Sequence, residues 1–130
     1  MKNNREFLKC AICGNVVGMV DDKGPKLSCC GQEMDLLTCN TVEASAEKHL
    51  PVATYKDGAL HVQIGSQEHP HISAHHICWI AAAQGQLTQR IALDNEEVPA
   101  ASFYLEADKP ISIYAYCNLH GLWASEWSCA

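Results

Sequence analysis

Four cysteines fall within the stretch from residue 8 to residue 34, LKCAICGNVVGMVDDKGPKLSCCGQEM. A segment this short cannot bury enough apolar surface to fold alone, so a cross-link or a metal must contribute to its folding. Cys10-Ala11-Ile12-Cys13-Gly14 reads as a metal knuckle. The two-residue spacer turns both sulfurs towards one ion, and Gly14 permits the tight turn in which backbone N–H groups face those sulfurs. Val16, Val17 and Val20 supply a short strand, Asp21 to Pro25 a turn, and Cys29-Cys30-Gly31 closes the set. Four thiolates define a tetrahedral ion, zinc or a lone iron. The adjacent pair Cys29-Cys30 is unusual, because neighbouring side chains diverge and reach one ion only with a distorted angle. A structural zinc knob and a disulfide pair are the competing readings.

Eight cysteines in 130 residues need a common explanation. Met1 to Glu6 is polar and does not read as a secretory signal, so a reducing, cytoplasmic setting is expected, where cysteines bind metal more often than they pair. A hydrophobic content of 48% with 18% charged residues suits a globular chain with a real core. The formal net charge of -6 argues against a nucleic-acid partner, which would need a basic face. No stretch approaches the roughly 20 apolar residues of a membrane helix. The seven histidines cluster late and four of the cysteines early, which predicts two separate sites.

The body of the chain reads as short strands. Val52–Tyr55 and Ala59–Ile64 flank the turn Lys56-Asp57-Gly58; Leu60, Val62 and Ile64 then face inward and His61 faces solvent. Residues 79–83 and 87–93 flank Gln84-Gly85-Gln86 as a second hairpin, although the alanines favour helix. Ser102–Glu106, Ile111–Cys117 and Gly121–Trp127 complete the set, and Leu36 to Glu43 reads as a linker. About seven strands with frequent turns predict a β-sandwich. Period-2 alternation from Ile111 puts Cys117 on the apolar face, and Asn118 and Gly121 then turn His120 back towards its sulfur. Upstream, His69, His71, His75 and His76 lie within eight residues, a metal-ligand density. Spacing alone leaves open which of His69 or His71, and which of His75 or His76, would ligate. Pro70 restrains His69, which favours it over His71. Adjacent residues of an extended segment point to opposite sides, so only one of His75 and His76 can reach an ion.

The sequence resembles the desulfoferrodoxins, the two-iron superoxide reductases, over nearly its whole length. The resemblance rests on Cys10-x-x-Cys13-Gly14-Asn15 with Cys29-Cys30-Gly31, on Glu47-Lys48-His49-x-Pro51-Val52, on His69-Pro70, on His75-x-Ile77-x-Trp79-Ile80, and on Cys117-Asn118-Leu119-His120-Gly121-Leu122-Trp123. It implies a mostly β chain, with a desulforedoxin-like iron module over residues 1–36 and an immunoglobulin-like β-sandwich over 37–130. Cys10, Cys13, Cys29 and Cys30 would hold one iron. His49, His69, His75 and His120 would hold the second in a plane, with Cys117 axial. Glu47 matches the glutamate that fills the sixth position of the oxidised iron, and Lys48 the lysine that attracts superoxide. A rubredoxin as electron donor and a homodimer are implied too. His71, Ile72-Ser73-Ala74 and His76 depart from the family pattern near the site rim. Cys39, Cys78 and Cys129 match no ligand; the first two read as buried small hydrophobes and the last as an exposed thiol.

The donor set suits the chemistry. Five ligands exceed the four that zinc prefers and leave one octahedral position open on iron. A thiolate opposite that position pushes electron density towards what binds there, as in thiolate-ligated haem enzymes. With four neutral imidazoles in place of a haem dianion, the expected outcome is one-electron reduction of superoxide and release of peroxide with its O–O bond intact. An electron carrier without substrate chemistry and a zinc-binding structural module are the alternatives. A carrier would be coordinatively saturated and would bind neither azide nor cyanide.

Overall fold

A computed structural model of the chain describes residues 7–40, 49–65, 72–93 and 98–129. It divides the chain into two compact units, one up to Thr38 and one from Cys39 onward.

The first unit is small. Strand β1 (Phe7–Lys9) lies between β2 (Val16–Gly18) and, after the short hairpin β3 (Ser28–Cys29) and β4 (Gln32–Glu33), β5 (Asp35–Leu36). Its buried apolar side chains among the described residues are Phe7, Cys10 and Met34, too few to constitute a core. Two sequence expectations change here. Val20 lies outside β2 and is fully exposed, and Leu36 belongs to β5 rather than to a linker. The puzzle of the adjacent cysteines is resolved by backbone. Cys29 ends β3 and pairs with Gln32, while Cys30 (φ 53°) and Gly31 (φ 77°) form the two-residue turn between them. Positive φ at both central residues is what a tight hairpin turn demands, and a non-glycine residue there is uncommon. The left-handed step breaks strand alternation, so the two sulfurs end on the same side instead of diverging.

The second unit is the expected sandwich. One sheet has the order β10 (Ala100–Phe103), β7 (Ala59–Ile64), β6 (Pro51–Lys56). The other has the order β12 (Gly121–Trp127), β11 (Ile111–Cys117), β8 (Ile77–Gln84), β9 (Leu87–Ala92). Neighbours are antiparallel throughout. Leu60, Val62, Ile64 and Phe103 from the first sheet meet Ile77, Ile80, Ala82, Ile111, Ile113, Ala115 and Cys117 from the second. Burying each of the larger side chains contributes roughly 1.5–3 kcal/mol. As read from alternation, Leu60, Val62 and Ile64 point inward and His61 is exposed, bonded through Nδ1 to Ser102 Oγ at 2.8 Å across the sheet.

Alanines 81–83 lie in the second half of β8 despite their helix propensity, because β9 and β11 pair with that segment from both sides. The strand expected over Ser102–Glu106 runs earlier, ending at Phe103. Beyond it the buried amide of Gln84 takes over the backbone: Nε2 donates to the carbonyls of Glu106 (2.6 Å) and Lys109 (3.1 Å), and Oε1 accepts the Glu106 N–H (3.0 Å). Between β11 and β8 the register slips: Tyr116 pairs with Trp79, but Cys117 pairs with Ile77. Cys78 is the extra residue of this bulge, which lets both Ile77 and Ile80 face the core. Cys78 and Cys39 are half-buried rather than buried, and Cys129 is exposed.

Candidate metal centres

In the first unit the sulfurs of Cys10, Cys13, Cys29 and Cys30 all lie within 4.8 Å of one another. Metal–sulfur bonds of about 2.3 Å place the sulfurs of a tetrahedron about 3.8 Å apart. Cys13 and Cys29 are separated by 3.6 Å, and Cys29 and Cys30 by 3.9 Å. The turn is built as the knuckle spacing predicts. Gly14 N–H donates to the Cys10 carbonyl (3.0 Å) and Cys10 N–H to the Asn15 carbonyl (2.9 Å). The Cys13 N–H donates to Cys10 Sγ and the Asn15 N–H to Cys13 Sγ, each at 3.4 Å.

Those bonds act on protonation. The Cys13 backbone N–H is the main influence that draws the Cys10 thiol down to about 6. The Cys30 thiol is pushed up to about 12, chiefly by the Cys13 and Cys10 side chains, and Cys29 is raised mainly by Cys13. One thiolate forms readily in the cluster, and further negative charge beside it is resisted until a cation is shared. Spacing, geometry and donor chemistry fit one tetrahedral ion.

In the second unit, donor atoms of His49, His75, Cys117 and His120 gather within 4.8 Å of one another. The sandwich brings them from four places. His49 sits just before β6, His75 just before β8, Cys117 at the end of β11, and His120 in the turn into β12. His49 Nε2 and His120 Nδ1 are 3.0 Å apart, the separation of adjacent corners of a square about an ion roughly 2.1 Å from each. His120 is nearly perpendicular to both other rings, at 87° to His49 and 75° to His75, with centroids 4.7 and 5.0 Å away. His49 and His75 are the widest pair, 6.1 Å apart and only 27° from parallel. Three imidazoles thus stand as three corners of a square, with His49 and His75 opposite each other.

Cys117 is fully buried, with Sγ 3.9 Å from His120 Nδ1. Burial pushes its thiol up, opposed by the backbone N–H groups of Leu119 and His120. A buried thiolate of this kind requires a cation beside it. Imidazoles with one soft thiolate form a donor set that fits iron.

His76 is not in the group: its Nδ1 lies 3.1 Å from the Ile72 carbonyl and its Nε2 3.7 Å from Cys78 Sγ. His69, His71, Glu47 and Lys48 lie outside the described residues. Spacing assigned no role to Trp123, yet it supports two of the imidazoles. Its ring stacks on His49 (centroids 4.9 Å, 23°), and its Nε1–H donates to the His120 carbonyl at 3.1 Å. Its place in the His120-Gly-Leu-Trp run was the one available signal, because ring stacking leaves no trace in spacing.

A two-sheet sandwich carrying a histidine and cysteine metal group, preceded by a four-cysteine module, defines a two-centre non-haem metalloprotein. A family profile described as Desulfoferrodoxin matches residues 41–126, and one described as Desulfoferrodoxin, N-terminal domain, matches residues 2–37. A desulfoferrodoxin from Syntrophotalea carbinolica is 40% identical over 126 residues, covering 97% of this chain and 99% of the relative. A superoxide reductase from Pyrococcus abyssi is 36% identical over 107 residues, covering 68% of this chain and 93% of the relative. The crystal structure of the superoxide reductase from Treponema pallidum aligns with a TM-score of 0.77 at 28% identity, covering 95% of this chain and 99% of that one. The chain belongs to the desulfoferrodoxin family.

Proposed function

We propose that this protein is a superoxide reductase, reducing superoxide by one electron to hydrogen peroxide at an iron held by His49, His69, His75, His120 and Cys117. The observation that carries the reading is the buried Cys117 sulfur beside three imidazoles set as corners of a square. His69 would be the fourth imidazole ligand, as the His69-Pro70 pair suggests. Five protein ligands exceed the four that zinc prefers, whereas iron would accept them and could still take a substrate. An iron held by these residues would supply the one-electron chemistry, and the Cys117 thiolate would raise its donating power.

The chain's own residues do the rest. Cys117, held on the inward face of β11, would give the site a thiolate charge without exposing a reactive thiol to solvent. Trp123 packs against His49 and anchors the His120 backbone, so the imidazole plane is rigid before substrate arrives. Lys48 would draw the superoxide anion towards the site in an otherwise acidic protein, and Glu47 would offer a carboxylate ligand to the oxidised metal. Two protons come from solvent. Residues 1–36 would be the auxiliary module, whose Cys10, Cys13, Cys29 and Cys30 would hold a second iron suited to electron transfer. A small redox protein supplies those electrons; a rubredoxin is the donor proposed, with the enzyme working as a cytoplasmic homodimer. Among the described residues no helix is long and apolar enough to cross a membrane.

The test is the absorption spectrum of the oxidised protein together with its iron content and its rate with superoxide generated by pulse radiolysis. Two irons per chain, a thiolate-to-iron charge-transfer band that vanishes in Cys117→Ser, and rapid loss of superoxide are expected. Two zincs in the native protein, or iron that binds neither azide nor cyanide and does not react with superoxide, would sink the reading.

A further inference from the structure

The side chain next to Cys117 is held in an unusually complete hydrogen-bond arrangement. Asn118 Oδ1 accepts the backbone N–H of His76 at 2.9 Å, and Asn118 Nδ2 donates to the Ala74 carbonyl at 3.1 Å. The Asn118 backbone N–H donates to the His76 carbonyl at 3.2 Å. The Ala74 carbonyl and the His76 N–H belong to the two peptide planes on either side of the His75 Cα. The opposite edges of the same two planes are also taken: His75 N–H donates to the Ile72 carbonyl (3.0 Å), and the His75 carbonyl accepts the Ile72 N–H (3.1 Å). All four polar groups of the peptides flanking His75 are therefore bonded, two of them by one asparagine side chain.

Fixing both flanking planes fixes both backbone dihedrals of His75, and with them the direction of its Cα–Cβ bond. A carboxamide presents an acceptor and a donor side by side for an N–H and a carbonyl, whereas an ionised carboxylate offers acceptors alone. The amide orientation follows from those partners, because the flipped form would set N–H against N–H. Asn118 follows Cys117 directly, so the segment bearing His75 is tied to the same turn that carries Cys117 and His120.

We infer that Asn118 is the positioning residue for His75, holding that imidazole at its corner of the catalytic iron site. The inference rests on His75 being a ligand, and it adds the device that sets where the ligand stands. Partners that orient metal ligands typically change metal affinity by about 10–100-fold when removed.

The experiment uses the full chain with both centres loaded and measures ferrous iron affinity of the histidine site by competition with chelators of graded strength. Asn118→Ala should weaken that affinity by about 10–100-fold and alter the Cys117 charge-transfer band. The iron of the four-cysteine centre and the thermal unfolding of the first unit should stay as in wild type, while the second unit unfolds at a somewhat lower temperature because its ion is held more weakly. Asn118→Asp keeps the acceptor for the His76 N–H but loses the donor to Ala74, so it should fall between. His75→Ala separates the two levels. If it keeps wild-type affinity, the ligand reading fails; if it weakens binding while Asn118→Ala does not, only the clamp fails. In the double variant, Asn118→Ala should add little to His75→Ala, because nothing remains to be positioned. A fully additive loss would show that Asn118 acts through the Cys117 turn and would overturn the inference.

Discussion

Replacing Trp123 tests whether the imidazole plane is held by packing or by hydrogen bonding. The side chain is 3% exposed, stacks on His49 at 4.9 Å and donates to the His120 carbonyl at 3.1 Å. Trp123→Phe keeps a ring over His49 and loses the indole N–H. An ordinary hydrogen bond contributes about 0.5–1.5 kcal/mol net, so the variant should retain its iron and lose about 1 kcal/mol. Trp123→Ala removes the ring as well and leaves a cavity, for which large aromatic-to-alanine changes in cores cost roughly 3–5 kcal/mol. Against a total of about 5–15 kcal/mol for a typical domain, that is a large share. His49, itself only 2% exposed, would lose its neighbour. Denaturant unfolding should be followed through the Cys117 charge-transfer band for the second unit and through the four-thiolate absorption for the first, since a chain with two metal centres need not unfold in one step. The expected order of midpoints for the second unit is wild type, then Trp123→Phe, then Trp123→Ala, with the first unit unmoved. If Trp123→Phe loses the band as completely as Trp123→Ala does, the hydrogen bond holds the plane and the stacking argument is wrong.

Cys13→Ser should lose the iron of the first unit while the histidine site keeps its iron and its reaction with superoxide, using an artificial donor; metal analysis and stopped-flow kinetics check this. Loading the four-cysteine site should release at least two protons near neutral pH, since Cys29 and Cys30 are raised and must ionise, whereas Cys10 is already drawn down to about 6. Affinity there should therefore fall as pH falls, and a pH-independent affinity would contradict it. Lys48→Ala should slow the reaction with superoxide without changing iron content. Two unit charges about 4 Å apart interact by roughly 4 kcal/mol at an effective dielectric near 20. The slowing should shrink with salt, because the screening length is about 8 Å at 0.15 M. His69→Ala and His75→Ala should each empty or disturb the histidine site, and His71→Ala and His76→Ala should keep it filled; a filled site in His69→Ala with an empty one in His71→Ala would reverse the ligand assignment.

Local chemistry was legible in the sequence wherever a short segment decides its own geometry. The Cys10-x-x-Cys13-Gly14 spacing determines the N–H-to-sulfur turn, because three intervening peptides have few ways to face two sulfurs. Period-2 alternation in Ile111–Cys117 determines which face Cys117 occupies, and Asp57-Gly58 and Gly85-Gln86 mark hairpins that pair as expected. Other features depend on partners distant in the chain. The alanines of β8 become strand because β9 and β11 compete successfully for their backbone groups. The end of β10 is decided by Gln84, a side chain whose hydrogen bonds outcompete the ladder. That Cys29 and Cys30 share one site depends on a left-handed turn, which neighbouring side-chain directions alone would not suggest. His49 meets His120 across 71 positions of sequence, and the amide of Asn118 meets Ala74 across 44. Residue identities supplied the donors, but the packing of two sheets decided which of them converge, because convergence is set by through-space bonds between segments that no spacing relates.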